Sequence, residues 1–295
     1  MKEHMADTTI ESWQHGTLST NGIRMHYVTQ GTGPLIVLLH GFPEFWYSWR
    51  FQIPVLAEQG YRVVAPDLRG YNETEKPESG YDIPTLLRDI AGLIEGLGEE
   101  RAVIAGHDWG GVLAWQFAID YPQMTERLIV LNAPHPGAML RELRRPKQLR
   151  KSWYIFFFQL PWLPEYILSR NHANEIGRML RGAALQKGIF PRSETAIYQA
   201  AMSKPGAIRA ALAYYRQLFR RGLRTYRRRN LQVEPATLLI WGEQDIALDI
   251  ALTRGLDPWV PHLRIKYVAE SGHWVQQEQP EQVNLSILAF LKEPC

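Results

Sequence analysis

Asp108 stands at the centre of Gly106-His107-Asp108-Trp109-Gly110, with a glycine two residues to either side. The run before it, residues 101–105, is short, apolar and rich in β-formers, and residues 111–120 carry apolar side chains at helical spacing. Strand, tight turn and helix are the context in which a Gly-x-Ser-x-Gly segment forms a nucleophile elbow. Here the nucleophile's slot holds a carboxylate. A serine alkoxide attacks acyl carbon, whereas a carboxylate is suited to displacing a leaving group from saturated carbon, leaving an alkyl ester on the protein. The expected chemistry therefore turns away from esterases and lipases.

Such a nucleophile needs an acid and a base. Leu239-Ile240-Trp241-Gly242-Glu243-Gln244-Asp245 places Asp245 just past a buried apolar run, and Ser271-Gly272-His273-Trp274 places His273 just past the last one. The chain order is nucleophile, acid, base. Asp245 would accept the proton of one imidazole nitrogen, leaving the other free to deprotonate water, and such general-base help is worth ~10²–10⁴ in rate. A loop carboxylate such as Asp245 can equally cap a turn; its conjunction with His273 and the elbow marks it as the acid. His107, inside the elbow, reads as a structural neighbour.

A second constellation, His40-Gly41-Phe42-Pro43-Glu44-Phe45-Trp46-Tyr47-Ser48-Trp49-Arg50, follows the first buried run directly. A backbone N–H from such a loop pairs with the one after the nucleophile to form an oxyanion hole. Those donors would be the amides of Phe42 and Trp109, and a cis bond before Pro43 would turn the Phe42 N–H inward. The aromatic tail, Phe45 to Trp49, fits plain packing.

The elements that must position these groups are legible as a pattern. Residues 11–18 and 23–30 flank Thr20-Asn21-Gly22, a hairpin signal. Continuous apolar runs at 35–39, 61–65, 101–105, 127–131, 237–241 and 265–268 predict strands buried on both faces of a parallel sheet. Helical patterns at 84–97, 111–120 and 280–292 alternate with them, so the fold class is α/β, a mostly parallel sheet with helices on both faces. Alternation fails between about residues 137 and 229, where helical stretches rich in Arg, Tyr, Phe and Leu carry no strand pattern. The reading is a core in two parts, 1–136 and 231–295, with a helical lid over 137–230 at the strands' C-terminal edge.

Bulk properties exclude several classes. At 295 residues and 45% hydrophobic content the chain can bury a substantial core, and its net charge of +3 is small. Basic clusters at 141–151 and 216–229 lack interleaved stacking aromatics and read as solvated helix faces, so no nucleic-acid partner is expected. The single cysteine, Cys295, fits a reducing cytoplasm. The first residues read as disordered, with no apolar signal segment. The greasiest stretch, 153–168, is interrupted by Gln159, Pro161, Pro164 and Glu165 and falls short of the ~20 apolar residues that span a bilayer. A soluble protein without membrane insertion is expected. No HExxH-like ligand spacing and no P-loop lysine occur, so neither metal nor organic cofactor is expected.

His40-Gly41-Phe42-Pro43-Glu44 with Trp46-Tyr47-Ser48-Trp49-Arg50, Pro66-Asp67-Leu68-Arg69-Gly70-Tyr71, and Gly106-His107-Asp108-Trp109-Gly110-Gly111 together closely resemble the soluble α/β-hydrolase-fold epoxide hydrolases, from about Trp13 to Phe290. The resemblance implies conversion of an epoxide to a vicinal diol through an ester on Asp108. It also implies two lid tyrosines that polarise the epoxide oxygen. One matches Tyr154, five residues before Gln159; the other precedes an arginine and matches Tyr215, with Tyr214 adjacent as the alternative. Neutral phenols can donate hydrogen bonds to an oxygen that gathers charge as a strained ring opens.

Haloalkane dehalogenases share the aspartate elbow, but Phe42 offers no side-chain donor for a halide and uncharged Asn132 follows run 127–131, where some of them place the acid. A fluoroacetate dehalogenase would carry arginines after the nucleophile, where Trp109 and Val112 stand. A non-catalytic small-molecule receptor of the same fold would not need a matched Asp108, Asp245 and His273. Phe42, Trp46, Trp109, Phe156, Phe157, Trp162 and Trp274 predict an aromatic-lined pocket for a small hydrophobic epoxide, in a monomer or homodimer.

Overall fold

The computed structural model describes residues 13–218, 220 and 230–294. The expected N-terminal disorder, Cys295 and most of the second basic cluster lie outside the described residues. The strands are β1 (Gln14–Thr20), β2 (Ile23–Gln30), β3 (Leu35–Leu39), β4 (Arg62–Pro66), β5 (Ala102–His107), β6 (Thr125–Leu131), β7 (Thr237–Gly242) and β8 (Leu263–Val268). They form one sheet in the order β1-β2-β4-β3-β5-β6-β7-β8. The β1–β2 hairpin turns on Asn21 and Gly22, both at positive φ as a tight two-residue turn requires. β2 runs antiparallel to β4, and every later pairing is parallel.

β3, β5 and β7 are buried along their whole length, which is why they read as unbroken apolar runs and do not alternate. Helices α1 (Ile53–Glu58), α2 (Ile83–Gly96), α3 (Trp109–Asp120) and the last helix, Pro280–Leu291, belong to the core. α2 starts where the Asp82 carboxylate accepts the Thr85 N–H at 3.3 Å, and it buries Leu86, Leu87, Ile90, Leu93 and Ile94 on one stripe. α3 is buried nearly all round.

Between β6 and β7 the described residues form only helices: α4 (Pro136–Glu142), α5 (Pro146–Lys151), α6 (Trp153–Phe157), α7 (Leu163–Ala183), α8 (Arg192–Met202) and α9 (Ala207–Gln217). α7 is interrupted at residues 170–173, where Asn171, His172 and Ala173 turn left-handed. Two of the basic residues expected on solvated faces are engaged instead. Arg216 pairs with Glu165 and donates to the carbonyls of Phe158 and Leu160, tying α9 to α7 and to the end of α6. Arg141 donates to carbonyls at Ala251, Arg254 and Gly255, fastening α4 to the loop after β7. Among the described residues no helix is long and apolar enough to cross a membrane.

Candidate active site

Parallel strands bring their C-terminal ends to one edge, and five of them deliver a residue there: β3 leads to Phe42, β5 to Asp108, β6 to Asn132, β7 to Asp245 and β8 to His273. β5 ends at His107 and α3 begins at Trp109, leaving Asp108 alone on the turn with φ 50° and ψ −117°. A non-glycine residue held there costs about 1–3 kcal/mol, which the packed elbow sustains. A Cβ on Gly106 would collide with the Gly110 carbonyl, and one on Gly110 with the Leu39 carbonyl, so the flanking glycines are what let helix and strand close on the aspartate.

His273 stands between two carboxylates. Its Nδ1 donates to Asp245 Oδ2 at 2.7 Å, and its Nε2 lies 3.5 Å from Asp108 Oδ2. Asp245 is fully engaged: Oδ1 accepts the N–H groups of Ala247 and Leu248 at 2.7 and 2.9 Å, and Oδ2 also accepts Asn132 Nδ2 at 2.7 Å. The Asn132 Oδ1 accepts the Gly242 N–H at 2.9 Å. Asn132 thus braces the acid across neighbouring strand ends, a part the sequence reading missed. Its signal was an asparagine just past a buried strand, a residue type that tolerates the positive φ (40°) found there.

On the side away from His273, Asp108 Oδ1 accepts the Phe42 N–H at 2.8 Å. The Phe42–Pro43 peptide is cis. Trp109 opens α3, and the first N–H groups of a helix have no partner within it. His107 sits behind the site: its Nε2 donates to the His273 carbonyl at 2.8 Å and its Nδ1 lies 2.8 Å from Glu44 Oε2, joining the His273 loop to the loop after β3.

Burial works to raise the pKa of Asp108, but the hydrogen bond and charge of His273, the charge of His107 and the Phe42 N–H outweigh it and hold the carboxyl below its ordinary value. Asp245 is depressed in the same way: burial opposes, while His273, Asn132 and the Leu248 N–H prevail. For His273 burial favours the neutral ring, yet Asp245 and Asp108 together raise it well above the usual imidazole value. The resting arrangement is therefore an imidazolium between two carboxylates.

A cavity of about 360 Å³ opens beside Asp108, and both Tyr154 and Tyr215 line it. Their rings meet edge to face at 6.0 Å, and Tyr215 also stands edge-on to Trp109 at 5.0 Å. Tyr214 points elsewhere, its hydroxyl donating to the Arg69 carbonyl at 2.8 Å, because adjacent residues on α9 face different directions. Tyr154 is pushed up by burial and then by the negative charges of Asp108 and Asp245. Tyr215 is raised well above the usual phenol value by burial, then by Asp108, Tyr154 and Tyr71, with a Trp109 hydrogen bond opposing. Both stay protonated donors.

The aromatic lining needs correction. Trp109 and Phe156 do border the cavity, with Val112, Met139, Leu143 and Ile155 among their neighbours. Trp46 does not: it packs against Trp13 at 5.7 Å and His15 at 5.6 Å, on the β1–β2 side. Trp274 is buried against His273 and Phe190. The Phe42 ring faces Phe158 and Tyr215, so this residue meets the site through its main chain. Phe157 packs beside Phe158, and Trp162 is 72% exposed. Most of the lining is aliphatic, since α4 and the loop after β6, which carry few aromatics, form the larger wall.

Residues 34–280 match the α/β hydrolase fold family. The chain is 39% identical to human epoxide hydrolase 4, over 98% of this chain and 81% of that protein. It is 42% identical to epoxide hydrolase 3 of Xenopus tropicalis, over 95% and 78% respectively. A crystal structure of a variant epoxide hydrolase from Bacillus megaterium, complexed with a naphthyloxy-propanediol product, superposes with a TM-score of 0.88 at 33% identity, covering 94% of this chain and all of that one. The chain therefore belongs to the epoxide hydrolases, enzymes of the α/β hydrolase fold.

Proposed function

We propose that this protein converts a hydrophobic epoxide to a vicinal diol through a covalent ester on Asp108, with residues 137–230 acting as the lid. The observation that carries this reading is Asp108, held beside the His273–Asp245 pair, lining a cavity that Tyr154 and Tyr215 also line. The diol product of the Bacillus megaterium relative supports it. Asp108 Oδ1 is tied to the Phe42 N–H, so Oδ2 is the attacking atom. It forms a bond to one oxirane carbon as the C–O bond to the ring oxygen breaks. Tyr154 and Tyr215 donate to that oxygen, which takes up the proton that the resting His273–Asp108 pair holds.

Alkylation removes the Asp108 charge, and with it part of what held His273 protonated. The neutral imidazole, oriented by Asp245, then takes a proton from water while hydroxide adds to the Asp108 carboxyl carbon. The Phe42 and Trp109 amides stabilise the oxyanion. Collapse breaks the acyl C–O bond, the diol leaves with the carboxyl proton, and the imidazolium–carboxylate pair is restored. A haloalkane substrate is disfavoured because Phe42 offers no side-chain donor for a halide and its ring packs against Phe158 and Tyr215. The lone cysteine at position 295 favours a cytoplasmic location, with a monomer or homodimer as the working form.

One turnover in ¹⁸O-water, with enzyme in excess, should place the label in the Asp108 carboxylate by peptide mass spectrometry and leave the first diol unlabelled. Label in that first diol would mean direct attack by water and would refute the ester route. Tyr154→Phe and Tyr215→Phe should each slow single-turnover alkylation about 10²-fold, the scale of losing one oxyanion donor. Tyr214→Phe, whose hydroxyl serves the Arg69 carbonyl, should leave that rate within about twofold, since the lost bond lies outside the reacting groups.

A further inference from the structure

Among the described residues, the cavity beside Asp108 is lined on the side of α4 and α6. Its walls come from the segment after β6 (Ala133, Pro134), from α4 (Met139, Leu143) and from α6 (Ile155, Phe156). The rings packed beside Phe42 and His273 stand apart from that lining. Phe42, Phe158, Phe190 and Trp274 are each no more than 4% exposed, and none of them lines the cavity. Phe42 meets Phe158 edge to face at 5.7 Å, Phe190 meets Trp274 at 6.2 Å, and Trp274 closes on His273 at 4.7 Å.

An oxirane held between Asp108 and the two tyrosines presents two ring carbons whose substituents diverge. A group on one carbon can follow the cavity; a group on the other runs into packed rings. Such a wall yields reluctantly, because interiors are close-packed and extra methylenes force side chains off their rotamers. The open arm is also chemically uniform. Among the described residues, apart from Asp108, the two tyrosines and the Trp109 indole, its only polar lining residues are Asn132 and Ser152, both wholly buried, with Asn132 bonded to Asp245 and Ser152 accepting from Gln148. Among its lining residues Leu149 and Phe156 are about half exposed (45% and 46%), so a long arm can reach solvent past these two side chains.

We infer that this enzyme selects terminal epoxides bearing a single hydrocarbon arm and rejects epoxides substituted on both ring carbons; the inference rests on the epoxide-hydrolase reading of the site. The test compares isomers of equal mass and similar hydrophobicity, 1,2-epoxyoctane and trans-4,5-epoxyoctane, by kcat/KM. The terminal isomer should be favoured about 100-fold or more, since each methylene pressed on a packed wall is worth about tenfold. Phe158→Ala, which removes the ring facing Phe42, should move that ratio at least about tenfold toward the internal isomer. A wild-type ratio near one, or a ratio that Phe158→Ala leaves unmoved, overturns the single-arm inference while leaving the epoxide reading intact. Turnover of neither isomer overturns both. Should the variant not fold, the wild-type ratio alone decides.

Discussion

Asp108→Ala should reduce epoxide turnover by about 10⁴-fold or more, the scale seen when a covalent nucleophile is removed from a group of residues that act as a unit. No neighbour can substitute. Asp245, the other carboxylate on His273, has both oxygens committed to His273, Asn132 and two backbone N–H groups. The variant should still fold, because the elbow is shaped by its glycines and by β5 and α3, and alanine keeps the left-handed strain that aspartate already bears. It should also bind substrate, since the cavity walls are untouched. Steady-state assays beside a binding measurement would check this. Residual activity within about tenfold of the wild type would mean that Asp108 is not the nucleophile.

His273→Gln should separate the two half-reactions. Alkylation needs an ionised Asp108 and the tyrosine donors, and in the variant the ring oxygen can draw its proton from a tyrosine or from water; ester hydrolysis needs a base, so the second step should slow by far the more, about 10²–10⁴-fold. Incubation with an epoxide should yield one equivalent of product-sized mass on the Asp108 peptide, visible by intact-protein mass spectrometry. Reversible binding with no adduct would point to the receptor reading.

The same variant carries a stability signature with a definite sign. The folded pKa of His273 is raised above its unfolded value, so its contribution is complete below the unfolded pKa and is lost as pH rises through the folded one. Its partners Asp108 and Asp245 are depressed, so their contributions are present above the unfolded carboxylate range and are lost as pH falls. Wild type should therefore exceed His273→Gln in stability most between about pH 4 and 6.5, the unfolded values of the two groups. Denaturant titrations across pH would show the gap narrowing in alkali. A gap that widens there would contradict the imidazolium assignment.

Nearly every strand was legible, and for one reason. β3, β5 and β7 are buried on both faces, so covering them on both sides demanded unbroken apolar runs that stand out against any background. β8, with exposed positions along it, showed only its last four residues as a run. That Asp108, Asp245 and His273 would meet at one edge was equally legible, because each follows a buried strand and parallel strands end on the same edge. What failed was the pocket. Trp46 and Trp274 are aromatic residues next to motifs, but which way a ring turns depends on neighbours distant in the chain: Trp13 and His15 for one, Phe190 for the other.

The amino-acid sequence by itself thus determined the sheet, the inserted helices and the type of reaction, since these depend on local periodicity and on residues whose chemistry is irreplaceable. Only the tertiary structure chose Tyr215 over Tyr214 as the residue bordering the cavity, placed Asn132 on the acid, and lined the cavity on the side of α4 and α6. Those outcomes are set by ångström-scale packing among α4, α6, α9 and the strand ends. Such packing depends on side chains far apart in the chain and leaves no periodic trace in it.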